Sequence, residues 1–280
     1  MNKIGVMQGR LLPKYKGQYQ AHPKNYWEKE FYLAASMGLN LIEFIVDLED
    51  IHENPLMSEN GINLIRHTQN STGVFVESIC ADCFMASPLH ESDSLKAAAS
   101  LNYLKDLIGF AGKLRINNIV IPCVDQAALR TSEDLSRFSD AIGSVLDSAS
   151  KNQINLSLET DLNPEKFARF IEDFNSQVIT VNYDVGNSAS MGYCPKEELL
   201  AYGSRISDIH IKDRIKGGGS VMLGSGNADF DLFFDELLRL KYKGPFIMQA
   251  YRDDEGLEIF KKQLSWIEPY LNSYCESLAQ

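Results

Sequence analysis

Four short apolar runs between residues 154 and 251 each end on a polar residue, and this repeat constrains the fold most strongly. The runs are INLSLE, VITVNYD, ISDIH and PFIMQ, which end at Glu159, Asp184, His210 and Gln249. Runs of this length and composition are typical of parallel strands that are buried on both faces. Each polar residue alone would also suit a turn or a helix cap. Four on successive strands indicate one shared site at the carboxyl ends of a sheet.

Similar strand-like runs alternate with helical patterns along the rest of the chain. Helices are predicted over 25–37, 58–72, 94–114 and 131–151, the last beginning at a capping box of Thr131 and Asp134. Residues 184–193 are predicted to form a loop, and Pro122 is predicted to end the fourth strand. Strand–helix alternation implies a parallel sheet with right-handed crossovers. Eight such units in 280 residues predict one α/β domain over residues 1–280, a (β/α)8 TIM barrel.

Composition narrows the possible partners. The net charge is −11, the isoelectric point is about 5.0, and no cluster of Lys and Arg occurs, which argues against nucleic acid and anionic membranes. No signal-like segment and no apolar run of 18 residues is present. The five cysteines are irregularly spaced, so we expect reduced thiols in a cytoplasmic protein.

The four strand-end residues offer two carboxylates, an imidazole and an amide. Together these groups could surround one divalent metal ion, for which Mn²⁺ and Mg²⁺ are equally suitable candidates. The sequence therefore predicts that Glu159, Asp184, His210 and Gln249 are metal ligands.

The chain resembles the xylose isomerase-like barrel family of sugar and sugar-phosphate isomerases and epimerases. The resemblance extends over essentially the whole chain and rests on these segments: IGVMQGRL at 4–11, LIEF at 41–44, SICAD at 78–82, IVIPCVD at 119–125, LSLET at 156–160, NYDVGN at 182–187, DIHIKD at 208–213 and LGSGNADF at 223–230. It implies a metal held by Glu, Asp, His and Glu at strands five to eight, with the two glutamates moving protons. Those roles fall on Glu159, Asp184 and His210, whereas the fourth position is Gln249.

Gln249 is the main departure from the family pattern. An amide oxygen can bind a hard cation, but it carries no charge and accepts no proton at pH 7. Glu159 then remains as the catalytic base, able to move a proton between adjacent carbons through a metal-stabilised enediolate. Epimerisation needs a donor on the opposite face, for which Lys212 and Asp213 are candidates. A dehydratase or lyase acting on a keto-polyol, and a non-catalytic sugar-binding relative, remain open.

Five further residues are predicted to bind substrate. Asn187 stands where many members of the family have a histidine. Basic residues around the mouth of the barrel suggest a phosphate or carboxylate on the substrate, although surface ion pairs would explain two of them equally well. The predicted substrate-binding residues are Arg10, Asn187, Lys212, Arg214 and Arg252. The expected partner is a sugar or sugar phosphate, and a homo-oligomer is possible.

Overall fold

The computed structural model describes residues 2–279, and it confirms the (β/α)8 barrel. Eight parallel strands close in the order β1-β8-β7-β6-β5-β4-β3-β2, so that the first and last strands of the chain are neighbours. The strands are β1 Ile4–Met7, β2 Leu41–Ile45, β3 Phe75–Cys80, β4 Asn118–Cys123, β5 Asn155–Thr160, β6 Ile179–Asp184, β7 Ile206–Ile211 and β8 Phe246–Met248.

Helices surround the barrel and connect its strands. They are α1 Trp27–Ser36, α2 Glu59–Thr72, α3 Cys83–Ala86, α4 Ser94–Leu114, α5 Ser132–Gly143, α6 Leu146–Lys151, α7 Pro164–Asp173, α8 Val185–Met191, α9 Pro195–Tyr202, α10 Phe230–Leu240 and α11 Leu257–Ala279. The bounds of α4 are those predicted. Within residues 2–279, no helix is both long and apolar enough to cross a bilayer.

Three local predictions were wrong. The capping box of Thr131 and Asp134 is present, but the predicted helix over 131–151 is divided into α5 and α6 after Gly143. Glycine and serine favour a helix weakly, and Val145, with φ of −116° and ψ of −3°, departs from regular helical dihedrals between the two segments. Strand β4 continues through Pro122 to Cys123. Because β3 pairs with β4 only as far as Val120, the missing proline N–H costs no bond to β3.

The third difference lies in the segment after β6, predicted as a loop, which forms α8. The Asp184 carboxylate accepts the Asn187 backbone N–H and thereby caps the helix, which ends at Gly192 with φ of 74°. This short buried helix fixes Asn187 close to the end of β5.

Most of the apolar core lies between the strands and the surrounding helices. A smaller cluster of buried apolar residues comprises Met7, Leu41, Ile45, Cys80 and Ile247. Leu41, Glu43 and Ile45 occupy every second position of β2 and share one face, so the Glu43 carboxylate points into the barrel with the other two side chains. The barrel interior thus combines an apolar cluster with buried acidic side chains, among them Glu43 of β2 and Asp208 of β7.

The segment after β7 folds into a small antiparallel ribbon, in which Asp213–Arg214 pairs with Ser220–Val221. The buried Asp213 carboxylate accepts backbone N–H groups from Gly224, Gly226 and Ala228 at 3.0, 2.8 and 3.1 Å. These three bonds hold the loop before α10 against the ribbon.

Candidate functional site

Three of the four predicted ligands converge at the carboxyl ends of β5, β6 and β7. Glu159, Asp184 and His210 are buried, and one potential ligand atom from each lies within 4.8 Å of the others. His210 Nδ1 is 4.0 Å from Glu159 Oε2 and 3.9 Å from Asp184 Oδ2. Residues separated by 51 positions in the sequence therefore surround one small volume.

The His210 ring of β7 is oriented across the barrel interior by Glu43 of β2. Glu43 Oε1 lies 2.8 Å from His210 Nε2, and its other oxygen accepts a bond of 2.6 Å from Ser78 Oγ. His210 Nδ1 is buried and has no hydrogen-bond partner within residues 2–279. A carboxylate that accepts the Nε2 proton leaves the Nδ1 lone pair facing the two acidic groups. An imidazole nitrogen and two carboxylate oxygens arranged in this way fit a divalent cation.

The electrostatics of the cluster favour the same ligand. Burial alone would lower the pKa of His210, but the charge of Glu43, helped by Glu159 and Asp184, raises it to about 9. Burial and then the Asp184 charge raise the pKa of Glu159 to about 7. Both shifts reflect negative charge concentrated in a buried volume, which a bound cation would neutralise.

Gln249 follows β8 and lies beside this cluster in a different arrangement. Its Oε1 accepts a hydrogen bond of 3.1 Å from Lys212 Nζ, and its Nε2 donates to Gln20 Oε1 at 3.2 Å. Lys212 Nζ also donates to Asp184 Oδ2 at 3.1 Å and to Asn187 Oδ1 at 3.2 Å. The ammonium group thus separates Gln249 from the carboxylates, and the ligand role of Gln249 stays a prediction.

Asn187 connects the candidate base with the basic residues. Its Nδ2 donates to Glu159 Oε1, and its Oδ1 accepts from Arg214 Nη1 at 2.8 Å as well as from Lys212. Arg214 also donates from Nε to the Gly218 carbonyl at 3.0 Å. The first turn of α8 and the ribbon after β7 are therefore joined through the Asn187 amide.

These side chains line a cleft of about 460 Å³ at the carboxyl ends of the strands. Of the predicted residues, Arg10, Glu159, Asn187, Lys212, Arg214 and Gln249 contribute to its wall, together with Gln20 and Asp82. Arg10 reaches the cleft with Nη2 bonded to Gln20 Oε1 at 2.9 Å and Nε bonded to the Ala250 carbonyl at 3.1 Å.

Arg252 does not line the cleft. Its guanidinium donates to the backbone carbonyls of Gly9, Leu12, Asp253 and Asp254. These bonds join the loop after β1 to the loop after β8, and the substrate contact of Arg252 stays a prediction. A guanidinium with carbonyls around its fork is already satisfied.

Two polar residues of the site had no assigned role in the sequence. Glu43 could have been singled out as a carboxylate within the apolar strand LIEFI, since a buried charge requires a partner. Gln20 lies in the long loop after β1, and its Nε2 donates to Asp82 Oδ1 at 3.3 Å. No local pattern marks Gln20, because its position follows from the folding of that loop over the barrel mouth.

The model of the Xylose isomerase-like TIM barrel family matches residues 31–270. The chain belongs to this family. L-ribulose-5-phosphate 3-epimerase UlaE from Escherichia coli O1:K1 / APEC is 27% identical over 256 residues, 86% of this chain and 89% of the relative.

Two solved structures show the same fold as this member of the family. The apo form of 3-keto-D-glucoside 4-epimerase YcjR from E. coli superimposes with a TM-score of 0.75 at 17% identity and covers 96% of this chain and 100% of its own. The IolI protein with a bound zinc atom has a TM-score of 0.76 at 15% identity, covering 97% and 99%.

Proposed function

We propose that the protein is a divalent-metal-dependent epimerase or isomerase of a ketose or ketose phosphate. The observation that carries this proposal is the unpartnered His210 Nδ1, buried between the carboxylates of Glu159 and Asp184. The open cleft at the same strand ends provides room for a sugar. The similarity to UlaE supports a pentulose phosphate as the first substrate to test.

Glu159, Asp184 and His210 would hold the metal, with Gln249 as a further candidate. When bound, the cation supplies Lewis-acid polarisation of the substrate's carbonyl and neighbouring hydroxyl oxygen. Glu159 would take the proton from the adjacent carbon and return it, since its buried carboxylate faces both the proposed metal site and the cleft. Asn187 Nδ2 holds Glu159 Oε1 in position for that transfer.

The geometry bears on the proton donor for the opposite face of the substrate. Asp213 accepts three backbone N–H groups, and all three protons of Lys212 Nζ have acceptors, so neither is a free donor. Asp82 faces the cleft, and burial raises its pKa to about 6. We assign the opposite-face proton transfer of an epimerisation to Asp82, whereas isomerisation would need only Glu159.

Hydrogen exchange tests this function directly. Metal-loaded protein is incubated in heavy water with L-ribulose 5-phosphate and with L-ribulose, and deuterium incorporation and products are followed by NMR. We expect deuterium at the carbon next to the carbonyl, abolished by Glu159→Gln. The exposed Glu165→Gln on α7 is the matched control and should exchange normally. Asp82→Asn should retain exchange and isomerisation but lose the epimer.

Failure to exchange with either substrate, although the protein is folded and metal-loaded, would contradict the epimerase and isomerase proposal. Sugar binding without exchange would then favour the non-catalytic relative. Loss of water from the substrate in the same spectra would favour the dehydratase or lyase.

A further inference from the structure

Lys212 is a largely buried cation beside a site that is itself suited to a cation. Its side chain is 14% exposed, and its Nζ lies 3.1 to 3.2 Å from oxygen atoms of Asp184, Asn187 and Gln249. An ammonium group has three protons, and here three acceptors receive them. Lys212 therefore has no donor left for a substrate and acts as a fixed positive charge.

The surrounding backbone makes room for this lysine. A Cβ atom added at Gly186 would lie 2.6 Å from Lys212 Cγ and 3.0 Å from its Cβ. The glycine in the first turn of α8 thus permits the lysine stem to pass between α8 and β7. The position of the ammonium group is determined by packing along the stem as well as by its acceptors.

The Lys212 ammonium shares an oxygen with the candidate metal site. Asp184 Oδ2, which lies 3.9 Å from His210 Nδ1, is the same atom that accepts from Lys212 Nζ. The lysine also determines the orientation of the Gln249 amide, because Oε1 faces the ammonium and Nε2 faces Gln20. A glutamate at position 249 would place its charge against Lys212 and form a buried ion pair.

We propose that Lys212 and Gln249 form a matched pair that sets the affinity of the metal site, with the ammonium group competing for Asp184 and holding the neutral amide by its oxygen. The pair leaves the site more positive than one with a third carboxylate and no contacting lysine. Lys212 is a positioning residue in this scheme, and the inference rests on the proposed metal site.

The pairing predicts opposite effects on metal affinity and on the stability of the metal-free protein. Removing the ammonium charge in Lys212→Met removes repulsion of the ion and releases Asp184, so Mn²⁺ should bind about tenfold tighter. The metal-free protein should melt at a lower temperature, because three buried oxygen atoms lose their donor. If Lys212 had only a structural role, Lys212→Met would lower the melting temperature without increasing the affinity for Mn²⁺.

A double-mutant cycle tests the pair. Mn²⁺ binding to metal-stripped protein is measured by titration calorimetry for the parent, Lys212→Met, Gln249→Glu and the double variant. Gln249→Glu should tighten binding by less than about threefold while Lys212 captures the new carboxylate, and by more than about tenfold when Lys212 is absent. The exposed Lys216→Met, four residues away and outside the cleft, controls for the loss of one positive charge.

Two further variants keep the inference testable if Lys212→Met does not fold. Lys212→Gln retains a hydrogen-bond donor without the charge and should also bind Mn²⁺ more tightly than the parent. Gly186→Ala displaces the lysine stem and should alter Mn²⁺ affinity without a change of charge. Additive effects in the cycle, or weaker Mn²⁺ binding in Lys212→Gln, would overturn the pairing. Absence of Mn²⁺ binding in every variant, including the parent, would instead refute the metal site.

Discussion

Replacing Glu43 should weaken metal binding although this residue is not a predicted ligand. Its carboxylate lies 2.8 Å from His210 Nε2, and it is itself held by Ser78 Oγ at 2.6 Å. Glu43→Gln keeps an acceptor for the Nε2 proton but removes the charge that makes the imidazole a stronger ligand. Glu43→Ala removes the acceptor as well, so the ring can rotate or change tautomer.

The size of the effect on metal affinity should differ between the two Glu43 substitutions. Loss of a carboxylate that hydrogen-bonds a ligand histidine typically weakens metal binding by about 10- to 100-fold, or about 1.4 to 2.7 kcal/mol. We expect Glu43→Gln near the lower limit because a neutral hydrogen bond remains, and Glu43→Ala near the upper limit. Ser78→Ala should have a smaller effect than either, since it removes only the bond that orients Glu43.

Calorimetric titration of metal-stripped protein with Mn²⁺ measures this order. Glu77→Gln, on the neighbouring strand β3 and paired with Lys3 at the surface, is the matched control and should bind as the parent does. Unchanged dissociation constants in both Glu43 variants would refute the view that Glu43 orients His210 for a metal. An equal loss in Glu77→Gln would show that the effect is one of net charge.

Three other substitutions test the parts around the site. Asp213→Ala leaves three backbone N–H groups without an acceptor. It should therefore destabilise the protein by about 3 kcal/mol or more in urea unfolding and increase amide exchange over 223–228. Unchanged amide exchange would contradict the anchoring role of Asp213. If Arg214 contacts the phosphate, Arg214→Gln should lower kcat/KM for L-ribulose 5-phosphate by about tenfold relative to L-ribulose. An equal loss for both substrates would contradict a contact between Arg214 and the phosphate. Arg252→Met should lower the unfolding free energy by about 2–4 kcal/mol and leave KM unaltered, since its hydrogen bonds are to carbonyls outside the cleft. A raised KM would instead support the predicted contact between Arg252 and the substrate.

The barrel could be predicted from the sequence because its pattern is local and repeated. Each buried strand is an apolar run, and signals such as Gly38, Gly73 and the Thr131 capping box mark helix ends. Strand-end residues of a closed parallel sheet must share one face, so the meeting of Glu159, Asp184 and His210 follows from topology.

Other features depend on contacts that the local sequence does not contain. Segment 185–191 is rich in small residues, and its helix forms because the Asp184 side chain caps it. The roles of Lys212 and Gln249 depend on which acceptors surround one ammonium group, and this is decided by side chains from three different units of the barrel. Arginine is a residue type that often binds phosphate, yet the Arg252 guanidinium donates its hydrogen bonds to nearby backbone carbonyls.

The contact between β1 and β8 has a consequence for how the chain folds during its synthesis. The first strand acquires its second neighbour only when residues 246–248 have been made, and the Arg252 bonds to Gly9 and Leu12 follow later still. Until then the nascent polypeptide carries two uncovered strand edges, which other chains could pair with. We therefore expect products of premature termination before residue 246 to aggregate, and chaperone demand to persist until translation is nearly complete.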